Sequence, residues 1–216
     1  MTSLFSRRVR LMSIRGALGV LFAVLAASPA MAGNKFAAAT TAIAAASTTT
    51  STTANCSVPP LTSPFAAYGD TNLYALVPGE VFDGLAGTGW TLTGGASIRT
   101  ATLADGSTGQ VLDLPAGSIA VSPAMCVDYT YPTARMMVRT ITQGAPVSFF
   151  AEYAGTGNLV SAGNVKSQGS GWQPSAVLQT NPGTQPGWQL AQFALIAGNT
   201  GDTQVYNLFV DPRMKS

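Results

Sequence analysis

Nine carboxylates, two cysteines and no histidine bound what the side chains of this chain could do chemically. Without histidine there is no Ser-His-Asp or Cys-His nucleophile, no His-bearing zinc site, and no side chain that titrates unaided near neutrality. Two thiols are too few for a zinc site built from cysteine alone. No Gly-x-Ser-x-Gly elbow and no Gly-x-x-x-x-Gly-Lys phosphate loop occurs, so no cofactor is expected from motifs. Carboxylate chemistry remains. Glycoside hydrolysis needs a pair of carboxyl groups roughly 5 to 9.5 Å apart. The available acids are Asp70, Glu80, Asp83, Asp105, Asp113, Asp128, Glu152, Asp202 and Asp211. Asp105 and Asp202 each adjoin a glycine, where turn chemistry is the plain explanation. Nothing selects a pair, so the residues point away from an enzyme and leave a carboxylate-dependent hydrolase as the remaining catalytic alternative.

Binding chemistry is easier to assemble. In Ala134 to Arg139 the alternation sets Arg135, Met137 and Arg139 on one face. In Val147 to Tyr153 it sets Phe150 and Glu152 together with Ser148. If these two strands pair antiparallel, Arg135, Arg139, Phe150 and Glu152 share one surface. Such a surface suits carbohydrate: a ring stacks on C–H faces while guanidinium forks donate to hydroxyls. The plainer alternative is a solvated sheet face carrying an ion pair of little worth between Glu152 and either arginine. Trp90, Trp172 and Trp188 each follow a glycine at a strand start. Core or sheet-edge packing is their default role, and a stacking platform the alternative.

The elements that must position these residues are strands. Period-two alternation also marks Trp90 to Leu92, Ala96 to Thr100, Gln110 to Leu114, Ser118 to Val121, Ala176 to Gln179, Trp188 to Ile196 and Gln204 to Val210. Turn signals such as Pro78-Gly79, Gly94-Gly95, Asp105-Gly106 and Gly201-Asp202 separate them. No helical period competes. The pattern predicts an all-β fold, a single-domain β-sandwich or jelly roll. The two cysteines, Cys56 and Cys126, are expected to form a disulfide closing a long loop, with free thiols as the alternative.

Ahead of that domain, residues 1–32 read as a signal peptide. Arg7, Arg8 and Arg10 precede an apolar run from Leu18 to Ala27, and Ala30-Met31-Ala32 supplies the small residues of a cleavage site before Gly33. The run is about half the ~20 residues a membrane span requires, so no span is expected in the mature chain. Both general secretory and twin-arginine export remain open. Residues 33–55 are an Ala/Thr/Ser-rich spacer whose composition predicts disorder, with a tether and a leftover stretch of no function as equal alternatives. The domain is placed at 56–213. The whole chain has a formal charge of +2, but four of its eleven basic residues, Arg7, Arg8, Arg10 and Arg15, lie in the leader. Seven basic against nine acidic groups remain, a net of −2, which provides no electrostatic footprint for nucleic acid.

Several segments carry a resemblance. They are Cys56 to Leu61, Tyr68-Gly69-Asp70, Leu76 to Gly79, Phe82-Asp83-Gly84, Gly89 to Leu92, Leu114 to Ser118, Gly171 to Pro174 and Phe209 to Pro212. Together they resemble a family of secreted actinobacterial proteins. The domain is also similar to the galactose-binding-type jelly roll of many carbohydrate-binding modules. That resemblance implies a secreted, non-catalytic module for carbohydrate or cell-wall polysaccharide, extracellular or attached to the cell wall. A structural or protein-interaction role in the cell envelope is the alternative. The resemblance further implies a structural calcium ion near Glu80, Asp83 and Asp211. Such modules close with a strand bearing an acidic pair, and Tyr206-Asn207 stands at that place here.

Overall fold

The computed structural model describes Thr41 and residues 56–153, 158–166, 169–182 and 187–211. The leader and, apart from Thr41, the spacer lie outside the described residues, as does Arg213. Among the described residues no helix is long and apolar enough to cross a membrane.

Among the described residues from 56 onward, sixteen strands follow one another, interrupted by one 3₁₀ turn at Ala66–Tyr68. They are β1 (Leu61–Thr62), β2 (Tyr74–Leu76), β3 (Glu80–Val81), β4 (Gly84–Leu85), β5 (Thr91–Thr93), β6 (Ser97–Thr102), β7 (Thr108–Pro115) and β8 (Ile119–Val121), then β9 (Met125–Val127), β10 (Thr133–Thr142), β11 (Val147–Tyr153), β12 (Leu159–Val165), β13 (Gln173–Pro174), β14 (Leu178–Gln179), β15 (Gln189–Ile196) and β16 (Asp202–Asp211). An eight-stranded sheet runs β1-β2-β16-β10-β13, with β14 also on β10, β7 on β16 and β6 on β7. A six-stranded sheet runs β12-β11-β15-β8-β5, with β9 also on β15. β3 and β4 make a small separate hairpin. The chain changes sheet at β5–β6, β7–β8, β9–β10, β10–β11, β12–β13, β14–β15 and β15–β16, the alternation that builds a jelly roll.

Inward-facing residues at alternate positions supply the core. Ala134, Met136 and Val138 of β10 and Leu112 and Leu114 of β7 meet Phe149 and Ala151 of β11 and Phe193 and Leu195 of β15. Phe149 and Phe193 stack with ring centroids 5.6 Å apart. Each fully buried side chain of this size contributes about 1.5–3 kcal/mol. The all-β sandwich therefore follows from the period that predicted it. Each predicted run contains a strand. The additional strands are two- or three-residue pieces, too short to show a period, and β12, whose Gly163 and Asn164 dilute its alternation.

Cys56 and Cys126 are bonded, with Cα atoms 5.6 Å apart. The Pro78-Gly79 turn needs its glycine. Gly79 sits at φ +82°, and a Cβ there would lie 2.5 Å from the Thr88 carbonyl and 2.8 Å from the Trp90 ring.

One expectation is overturned. β10 and β11 are consecutive, but they belong to different sheets, so Arg135 and Arg139 do not share a surface with Phe150 and Glu152. Alternation correctly gives which residues share a face along each strand. The connection at 143–146 carries the chain across the sandwich instead of turning it back within one sheet. The two sets point out of opposite sides.

Candidate functional site

The site grows from an irregularity in the large sheet. β10 and β16 pair as Arg135↔Phe209 and then as Met137↔Tyr206, so Asn207 and Leu208 together oppose Met136. This is a β-bulge, which locally bends and twists the strand. Leu208 goes into the core. Asn207 takes φ +55°, a left-handed conformation that Asn tolerates better than most residues. Its amide N–H donates to Glu80 Oε2 at 3.0 Å, and its side-chain Oδ1 accepts from the Gly84 N–H at 2.9 Å. These bonds clip the β3–β4 hairpin onto the bulge. Burial pushes the Glu80 carboxyl up to about 8, although the Leu208 and Asn207 N–H groups pull it back in part.

The hairpin tip carries Phe82 and Asp83, and Asp83 is itself left-handed at φ +58°. The tip forms one wall of a cleft of about 300 Å³ on the outer face of the large sheet. Pro64, Phe65 and Tyr68 form another wall, and Ala104 and Asp105 a third, over a floor of Met137, Tyr206 and Asn207. Tyr68 is 48% exposed and Phe82 64%. The floor is firmly held. Tyr206 accepts a hydrogen bond from the Ala104 N–H at 3.1 Å and packs edge-on against Trp172 at 4.6 Å. Its phenol is pushed up to about 12 by burial.

The two carboxylates of the cleft are shifted oppositely. Asp83 is raised, first by burial and then by the charge of Asp105, with a hydrogen bond from Asn207 acting against both. Asp105 is exposed and lowered by hydrogen bonds from the Ser107 side chain and backbone. The Ser107 N–H donates to Asp105 Oδ1 at 2.9 Å, an Asx turn that fixes the carboxylate.

Two arginine arrangements flank the floor. Arg135 reaches Asp70 at 2.5 Å, donates twice to the Ser175 carbonyl, and lies 5.2 Å from the centroid of the Phe65 ring. Asp70 also accepts from the Tyr74 hydroxyl at 2.6 Å. Burial would raise Asp70, but the bonds from Tyr74, Arg135 and the Asn72 N–H outweigh it and lower its pKa. Arg139 lies 4.5 Å over Trp172 and donates from Nε and Nη2 to Gln204 Oε1 at 2.9 and 2.7 Å. Gln204 in turn donates to Asp113 at 2.6 Å, and Arg99 meets the other Asp113 oxygen at 2.7 Å. A polar ladder thus runs across four strands beside the cleft.

Arg135 and Arg139 therefore share a face, with Met137 between them reaching the cleft. Phe150 and Glu152 lie on the outer face of the six-stranded sheet, only 7% and 1% exposed. Trp90 and Trp188 pack on the core, and Trp172 alone among the tryptophans is on the cleft side. The expected calcium cluster is not assembled. Asp211 accepts from Thr133 and Asn72 at the end of β16, four residues and roughly 13 Å from Asn207. Glu80 spends its carboxylate on backbone N–H groups, and Asp83 faces the cleft. Among the described residues no three acids or thiols are placed to hold a metal ion. Alternation missed Tyr68, which ends the 3₁₀ turn, and Phe82, which is at a hairpin tip; both lie in segments that carried the family resemblance.

No family model matches the chain, and no curated protein matches it significantly. Among solved structures it is similar to a family 6 carbohydrate-binding module from Clostridium cellulolyticum in complex with xylose. Identity is 16%, over 54% of this chain and 87% of that one, with a TM-score of 0.39. It is also similar to TmCBM61 in complex with beta-1,4-galactotriose, at 12% identity over 74% of this chain and all of that one, TM-score 0.39. A third is the Agl-KA catalytic domain, at 14% identity over 73% of this chain and 30% of that one, TM-score 0.40.

Proposed function

We propose that this chain is an exported, non-catalytic carbohydrate-binding module whose ligand is polysaccharide outside the cell, and that the cleft over Tyr206 takes the sugar. The observation that carries the reading is the pairing of Tyr68 and Phe82, two solvent-accessible rings from a 3₁₀ turn and a hairpin tip, with the carboxylates Asp83 and Asp105 around one cleft. Sugars present apolar C–H faces and a rim of hydroxyl donors. Rings cover the former while carboxylates accept from the latter. A cleft of about 300 Å³ is at the small end for an organic ligand, which suits capture of one part of a longer chain. Trp172 and Arg139, on the same face, extend the contact beyond the cleft.

A polysaccharide panel followed by calorimetry with the best ligand tests this. Binding is expected, with strong losses in Tyr68→Ala and Phe82→Ala variants that remain folded. No binding to any polysaccharide, or binding indifferent to both substitutions, overturns the assignment. Asp83 and Asp105 also favour a second reading, because a carboxyl pair with opposed shifts is the arrangement of acid–base hydrolysis. New reducing ends released from the bound polysaccharide, and lost in Asp83→Asn, would select the hydrolase. A partner from cell-wall extract that survives glycosidase treatment would select a protein-interaction role.

A further inference from the structure

The cleft over Tyr206 is acidic as well as aromatic. Asp83 stands on the hairpin wall and Asp105 on the wall formed with Ala104, and both are exposed. They feel one another, since the charge of Asp105 adds to burial in raising Asp83. The Tyr206 phenol on the floor is raised first by burial and then further by charges that include both carboxylates. Among the described residues no cation answers this field. Their four basic side chains are placed elsewhere. Arg99 meets Asp113, and Arg135 meets Asp70 and the Ser175 carbonyl. Arg139 holds Gln204 and lies over Trp172, and Lys166 lines a separate cavity beside the β10–β11 connection. The groups that do hold the two carboxylates are neutral: Asn207 for Asp83, and Ser107 for Asp105. Those bonds fix the carboxylates in place and leave their charge uncompensated.

We propose that the polymer this cleft takes is an amino-sugar polysaccharide with free ammonium groups, of the glucosamine type. This rests on the carbohydrate reading above and narrows it to one substrate class. A glucosamine unit has an apolar C–H face for the Tyr68 or Phe82 ring and, at its edge, an ammonium whose N–H groups all donate. Set between the two acidic walls, that ammonium makes charge-assisted hydrogen bonds to Asp83 and Asp105, and a neighbouring ring adds a cation–π contact. An N-acetylated unit keeps the C–H faces but brings no charge, and its added bulk must fit a cleft of about 300 Å³. A uronate or sulfated unit adds a third negative charge to two that already repel. A neutral hexose bonds the carboxylates through hydroxyls and leaves their repulsion in place.

Calorimetry on the protein recovered from culture medium tests this, with glucosamine and N-acetylglucosamine oligomers of equal length as ligands. Two exposed ion pairs together are worth about tenfold. The glucosamine oligomer is therefore expected to bind about tenfold tighter at low salt, with an advantage that shrinks at high salt. In Asp83→Asn with Asp105→Asn the two oligomers are expected to bind alike. Asparagine tolerates the left-handed backbone at 83 and can still accept from the Ser107 N–H at 105, so the variant keeps the local structure. Equal or weaker binding of the glucosamine oligomer to the unaltered protein overturns the proposal whatever the variant does. So does an advantage that survives both substitutions. A lysine oligomer that displaces the glucosamine oligomer at equal concentration also overturns it, because the cleft would then read an amine and not a sugar. Neutral polysaccharide bound through Tyr68 and Phe82, without preference for the amino sugar, sinks this inference and leaves the carbohydrate reading standing. If no sugar binds, both fall.

Discussion

The backbone N–H of Asn207 donates to Glu80 Oε2 at 3.0 Å, and through this bond a hairpin tip is held against a bulge 127 residues further along the chain. Phe82 and Asp83 owe their place in the cleft to it. The carboxylate sits in a dry environment that favours its protonated form, which gives the cleft a pH-dependent support.

The folded-state Glu80 carboxyl is raised from 4.5 to about 8. Between those values the unfolded chain carries the charge and the folded one the proton, so the folded state binds more protons and stability falls as pH rises. The contribution is complete below the lower value and gone above the upper. Glu80→Gln keeps an acceptor for Asn207 but cannot titrate. Urea midpoints measured from pH 4.5 to 8.5 should lose this downward slope in the variant; an unchanged slope would assign it to another group.

Asp70 has the opposite sign. Its pKa is depressed in the folded state, so its stabilisation is present above the ordinary value of 3.8 and is lost as pH falls through the lower folded value. Asp70→Asn removes the charge that meets Arg135 and Tyr74 and should cost about 1–3 kcal/mol at pH 7 by urea unfolding. The difference should shrink toward pH 2.

Asn207 combines a left-handed backbone with an acceptor for Gly84. Asn207→Ala loses both and should cost about 2–4 kcal/mol. Asn207→Gly restores the conformation but not the acceptor, so about 1–2 kcal/mol is expected. Thermal unfolding of the two variants ranks them, and equal losses would refute the division between strain and bonding.

Phe82 is exposed and contributes little to folding, so Phe82→Ala should change stability by no more than about 0.5 kcal/mol. Removing a stacking ring worth about 0.5–1.5 kcal/mol should weaken polysaccharide binding by several-fold to about tenfold. Calorimetry beside an unfolding curve reads both quantities.

The Cys56–Cys126 bond closes a separation of 70 residues. Loop-entropy arguments give about 4 kcal/mol for a loop of that length. Replacing both cysteines by serine should lower the urea midpoint accordingly.

Much of the fold was legible because a sheet side chain repeats every two residues, and burial on one side imprints that period on the sequence. Val147 to Tyr153 and Ala134 to Arg139 are strands with the predicted faces, and the two lone cysteines of the domain had only each other. The site was not legible in the same way. Tyr68 ends a three-residue 3₁₀ turn and Phe82 is at a hairpin tip, both too short for a period to operate, and the bulge at Asn207 is an interruption of the very signal that marks a strand. Glu80 and Asp83 were noticed for a shared metal, although one supports the backbone and the other lines a cleft.

By itself the sequence determined the strand faces, the pairing of Cys56 with Cys126, and the absence of histidine-based chemistry, because each depends on local alternation or on residue counts. The tertiary structure alone decided that β10 and β11 part into different sheets, which sends Arg139 and Phe150 to opposite sides of the molecule. It alone brought Tyr68, Phe82, Asp83, Asp105 and Tyr206 around one cleft. Contacts between residues more than a hundred positions apart are set by how whole sheets pack and cross, and a one-dimensional period contains no record of that.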